Sequence, residues 1–118
     1  MQHVNGSDPD VSFTIEESLG PQGSPVLRLI GHLDSAVAPS LATMVQRKLA
    51  ESPESLVIDL TATTYLDSRG ARELVITARA ADSAGTALQV FCPRQNRRVW
   101  RVFDLLGLPA VMPVVEDV

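Results

Sequence analysis

The sequence predicts an α/β fold, a mixed, mainly parallel sheet opened by an antiparallel hairpin, with helices packed against it. Three observations carry that prediction. Short aliphatic runs alternate with longer stretches of helical periodicity through the second two-thirds of the chain, the pattern of parallel strands joined by helical crossovers. The first two strand-like runs are joined instead by Gly20, Pro21, Gly23 and Pro25, a turn-rich link. Hydrophobic residues make up 45% of the 118 residues and aromatics only 4%, so a single core is available and is built from Leu, Val, Ile and Ala.

Residues 1–10 are polar, with Gly and Pro, and read as a flexible tail before a single domain over 11–118. Phe13 and Ile15 alternate with Thr14 and Glu16, which predicts a half-buried strand over 13–17. Leu27, Leu29 and Leu33 share one parity of a second strand over 26–33, with Arg28 and His32 on the other. Pro39 suits the first position of a helix, and Leu41, Met44, Val45 and Leu49 follow at helical spacing. Arg47 and Lys48 fall in its last turn, where cations are favoured, and Pro53 stops it. The nearly continuous apolar run Leu56–Leu60 predicts a central strand covered on both faces. Residues 61–67 read as a connection. A second helix starts at Ser68, with Ala71, Leu74, Val75 and Ala78 on one face and Gly85 placed for a left-handed terminus. Residues 87–91 form a further short buried strand. Asn96 is suited to cap a third helix, in which Val99, Val102, Phe103 and Leu106 repeat at i, i+3, i+4 and i+7 before Gly107 and Pro109 end it. Residues 111–115 read as a last strand, confined by Pro113 to a sheet edge.

Composition narrows the function. Ten basic and fourteen acidic residues give a net charge of -4, without the basic footprint of a nucleic-acid binder. Arg94, Arg97, Arg98 and Arg101 cluster on the third helix, either as a solvated face or as a patch for an acidic partner. No apolar run approaches the ~20 residues of a membrane span, so no membrane insertion is expected. The single cysteine, Cys92, permits no internal disulfide, and no apolar stretch follows a basic start, so a cytoplasmic protein is expected. His3, His32 and Cys92 share no ligand spacing, so neither a metal nor another cofactor is expected. An enzyme is not expected either. Residues 66–70 read Leu-Asp-Ser-Arg-Gly, not Gly-x-Ser-x-Gly, and no Gly-rich phosphate loop is present. The one lysine, Lys48, closes a helix, and Asp59 has no acidic companion of the kind a phosphoacceptor pocket needs.

In open α/β sheets functional groups gather where strands end and helices begin. Here that place is Tyr65-Leu66-Asp67-Ser68-Arg69-Gly70, between the most buried strand and the cleanest amphipathic helix. Ser68 has two readings. Its hydroxyl can cap a free backbone N–H, worth ~1 kcal/mol, or stand exposed and accept a phosphoryl group. A phosphate there would face the positive end of the helix, with Arg69 and Arg72 within a turn of it. Asp67 is either a carboxylate favoured by the dipole or a residue that orients Ser68 or meets a partner.

Three stretches carry a family resemblance. They are Gly31-His32-Leu33-Asp34 with Ala38-Pro39-Ser40-Leu41, Leu56-Val57-Ile58-Asp59-Leu60 with Tyr65 to Gly70, and Arg97-Arg98-Val99 through Leu108. In order and spacing they resemble the STAS domains, found in sulfate transporters and anti-sigma factor antagonists. The resemblance runs over nearly the whole chain from Phe13. It implies a STAS-like fold and a non-enzymatic anti-sigma factor antagonist. The implied partner is an anti-sigma factor that is also a serine kinase of the histidine-kinase-like ATPase fold. That kinase would phosphorylate Ser68 and break the complex, and a serine phosphatase would restore it. Asp34, Asp67, Ser68, Arg69 and Arg72 would meet the partner. Arg69 stands where the family often has a small residue and Arg72 where some members have glycine, so both bear on partner choice. The alternative is a STAS scaffold or accessory module, in a stress-signalling or lipid-transport complex, with no phosphorylation switch.

Overall fold

The computed structural model describes residues 3–5 and 13–116. Its opening hairpin joins β2 (Phe13–Leu19) to β3 (Pro25–Leu33). Gly23 supplies the left-handed conformation the reversal needs, and the Gly20 and Gly23 N–H groups bond to the carbonyls of Ser24 and Gly20. The strands pair antiparallel with Ile15 opposite Leu29, and at the turn β2 runs two residues and β3 one residue further than periodicity predicts. Within the stretch read as a tail, His3–Asn5 forms a strand, β1, antiparallel to β2. The rest of that stretch lies outside the described residues.

The remaining elements follow as α1 (Ala38–Leu49), β4 (Ser55–Asp59), β5 (Thr63–Leu66), α2 (Ser68–Ser83), β6 (Ala87–Phe91), α3 (Arg97–Leu106) and β7 (Val114–Val115). The sheet order is β1-β2-β3-β4-β6-β7, with β5 also paired to β3. The pairs that β3 makes with β4 and β5, and those of β4 with β6 and β6 with β7, are parallel, so the predicted mixed, mainly parallel sheet is what forms.

One face of the sheet holds the core. Ile15, Leu27, Leu29, Leu56, Ile58, Leu88 and Val90 are buried on it, together with Leu41, Met44 and Val45 of α1, Ala71 and Leu74 of α2, and Val99 and Phe103 of α3. The opposite parity is half-buried at Val26, Val57, Asp59 and Phe91, and exposed at Arg28 and Gln89. The expectation that 56–60 is covered on both faces is therefore corrected. The alternation includes Asp59, a charged residue that a doubly covered strand would have to desolvate.

The expected connection over 61–67 contains β5. Asp59 ends β4 by accepting bonds from the N–H and hydroxyl of Thr61, and the Thr63 N–H bonds to the Leu60 carbonyl. The chain then returns alongside β3, with Gly31 opposite Thr63 and Leu33 opposite Leu66. The break leaves carbonyls to satisfy. The Asn96 side-chain amide donates to Leu60 O at 3.0 Å and Thr63 O at 2.8 Å. Asn96 occupies the N-cap position of α3 but makes no side-chain cap bond, because its amide is used here. The last strand is shorter than expected. A 3-10 turn over Leu108–Ala110 takes the N–H groups of Val111 and Met112 onto Leu108 O, so pairing begins only after Pro113.

Candidate functional site at the start of the second long helix

Because Leu33 and Leu66 are paired at the ends of β3 and β5, the next residues, Asp34 and Asp67, leave the sheet side by side. Parallel neighbours lie roughly 4.8 Å apart. Asp34 heads the turn that leads into α1, and Asp67 caps α2. The Asp34 carboxylate accepts the Ala36 N–H at 3.0 Å, and its carbonyl accepts from Val37 and Ala38 as α1 starts. Asp67, in extended conformation, caps α2: its carboxylate accepts the Gly70 N–H at 2.8 Å and its carbonyl accepts the Ala71 N–H. Both aspartates are half-buried.

Gly70 shows how tightly this corner is closed. A Cβ there would stand 2.1 Å from the Leu33 carbonyl oxygen. The first turn of α2 thus lies directly on the end of β3.

Ser68 is the first residue of α2 and is exposed. Of the two readings of its hydroxyl, capping is overturned, because Asp67 holds that position and takes the bond. Arg69 and Arg72 are exposed on the same helix. They line a groove of about 230 Å³ with Ser35, Pro39 and Glu73, between the starts of α1 and α2. The five site residues read from the sequence therefore fall in one neighbourhood.

Sequence reasoning missed Glu73. It is only 8% exposed, and its Oε2 has no hydrogen-bond partner. Burial pushes its carboxyl pKa up, against a smaller opposing pull from the Arg72 guanidinium. The buried Thr77 hydroxyl, one turn on, is also unpartnered. The signal was present: Glu73 flanks Leu74, and Thr77 and Ala81 continue its row at i+4 spacing.

Among the described residues no three His, Cys, Asp or Glu side chains group to hold a metal, and no helix is long and apolar enough to cross a membrane. Cys92 is buried, and desolvation, aided by Asp59, pushes its thiol pKa up to about 12.

Fold and site together define a class: a one-sided α/β domain whose distinctive surface is a capped strand-to-helix corner displaying a serine. The chain belongs to the STAS domain family, whose model matches residues 15–118. It is similar in structure to an anti-sigma factor antagonist from Mycobacterium paratuberculosis, with 29% identity, a TM-score of 0.80, and coverage of 95% of this chain and 92% of that one. It also resembles the anti-sigma factor antagonist SpoIIAA in its unphosphorylated form, at 17% identity and TM-score 0.69 over 86% of this chain and 87% of that one. A third likeness is to the protein TM1081, at 18% identity and TM-score 0.72 over 85% and 78%. No curated protein sequence matches the chain.

Proposed function

We propose that this chain is an anti-sigma factor antagonist that binds an anti-sigma factor through the corner at Asp34, Asp67, Ser68, Arg69 and Arg72, and is switched off by phosphorylation of Ser68. The partner in this reading is a serine kinase of the histidine-kinase-like ATPase fold, a serine phosphatase reverses the modification, and the exchange takes place in the cytoplasm. The chain itself performs no chemistry. The observation that carries the proposal is the exposed Ser68 at the first position of α2, relieved of capping by Asp67. Its likeness over 95% of its length to an anti-sigma factor antagonist supports the role.

The energetics suit a switch. A phosphoserine adds about -1.5 to -2 charges. Against a partner carboxylate ~5 Å away at an effective dielectric of about 20, each unit charge costs roughly 3 kcal/mol. Half of that already weakens binding about tenfold.

The test mixes the purified chain with the anti-sigma factors encoded in its own genome, with and without ATP. Binding is read by calorimetry and modification by phosphopeptide mapping. The expected result is one partner that binds wild type, phosphorylates Ser68, and binds Ser68→Asp at least tenfold more weakly. Equal binding of wild type and Ser68→Asp would overturn the switch and favour a scaffold role.

A further inference from the structure

We propose that Arg72 reads the state of Ser68. With the hydroxyl free, its guanidinium lies over the α1–α2 groove beside Glu73. With a phosphate on Ser68, it turns back one helical turn to hold that phosphate and withdraws its charge from Glu73. This rests on Ser68 being the phosphoacceptor, and it adds a second consequence of modification beyond the new charge itself.

The residues are placed for it. Ser68 and Arg72 are at i and i+4 on one helix, the spacing at which side chains are neighbours along its surface. Both are exposed, and among the described residues no hydrogen bond or ion pair holds the guanidinium. Arg72 lines the groove with Glu73, whose nearly buried carboxylate carries an oxygen that no donor satisfies. The rest of the groove wall is Arg69 and the uncharged Ser35, Ala38, Pro39 and Ile76. Of the two arginines at the groove, Arg72 is the one whose guanidinium pulls the Glu73 carboxyl pKa down, against the larger effect of burial.

A phosphate is the stronger attractor. It offers three acceptor oxygens and nearly two charges in water, against one largely buried carboxylate. The other charged groups at the corner are Asp67 and Asp34, which repel the phosphate, and Arg69, which lies one residue along and not one turn. Capture of Arg72 offsets the repulsion from the two aspartates. It also removes from Glu73 the cation that favours its ionised form, which raises the Glu73 carboxyl pKa further. A partner docked across α1 and α2 would meet both changes at once.

The experiment installs phosphoserine at position 68 by genetic encoding in the full chain, so no kinase is needed. The phosphate is titrated by phosphorus NMR and the Glu73 carboxyl by carbon NMR. In wild type the second phosphate pKa should lie below its ordinary value of about 6, and Arg72→Ala should raise it by about half a unit or more. Arg72→Lys, which keeps charge but loses the fork, should fall between. Phosphorylation should raise the Glu73 pKa more in wild type than in Arg72→Ala, where only the phosphate's direct repulsion remains. Superimposable phosphate titrations for wild type and Arg72→Ala overturn the proposal, as does a shift produced by Arg69→Ala alone. Backbone amide spectra confirm that each variant is folded. Should the installed phosphate engage Arg72 while no kinase modifies Ser68, the proposed function falls and the coupling stands.

Discussion

Glu73 is the residue at which this fold carries an uncompensated cost. A carboxylate buried without full hydrogen bonding is destabilising, and here burial outweighs the help from Arg72. The direction of the shift sets the pH dependence. Below the ordinary value of 4.5 the carboxyl holds its proton in both folded and unfolded chains, and the cost is absent. As pH rises through the higher folded value, the unfolded chain ionises more readily, and stability is lost. Glu73→Gln keeps the shape and removes the charge. It should therefore stabilise the protein at pH 7 by about 1 kcal/mol and make no difference at pH 4, read as urea midpoints at the two pH values. A wild type as stable as the variant at both would show that the carboxylate is satisfied in solution. Ser68 and Asp67 were legible from the sequence because motif and helix start coincide. Glu73 was not, since a charged residue beside an apolar stripe reads as surface until the neighbouring helix is placed over it.

At the scale of elements, the sequence located the three α-helices of the described residues to within a few residues, because proline, glycine and 3.6-residue periodicity are local signals. It missed β5 because Thr-Thr-Tyr lacks an aliphatic run. That strand exists through contacts made at long range, by its pairing to β3 and by the Asn96 amide on the carbonyls at its start. The reach from residue 96 to residues 60 and 63 leaves no mark in a linear pattern. The junction of β3 and α2 is another long-range contact, and Gly70 is the sequence trace of it. Alanine would ordinarily strengthen a helix by ~1 kcal/mol over glycine. At Gly70 the added carbon would sit 2.1 Å from the Leu33 carbonyl oxygen, against backbone that cannot give way cheaply. Gly70→Ala should destabilise the fold by about 3 kcal/mol and shift the amide resonances of Asp34 and Asp67, measured by denaturation and NMR. A neutral or stabilised variant would mean that α2 does not press on β3 in this way.

The whole molecule separates its core from the proposed recognition surface. Its core lies between one face of the sheet and the helices, while Ser68, Arg69 and Arg72 sit on the outside of a corner held by Asp67 and Gly70. A charge added at Ser68 thus meets no core. Three local effects decide its influence on folding. The positive end of α2 favours an anion by about 0.3–1 kcal/mol, and Arg72 at i+4 adds roughly 0.2–0.5 kcal/mol. The neighbouring Asp67 carboxylate opposes both by a similar amount in a solvent-exposed setting. Ser68→Asp should therefore leave the unfolding free energy within about 0.5 kcal/mol of wild type, with unchanged slope in urea, even where it abolishes docking. Added salt should narrow the difference further, because every contributing charge is near the surface. A loss of 2 kcal/mol or more would place the side chain of residue 68 inside the packing of the corner, and the loss of a partner would then report unfolding instead of switching.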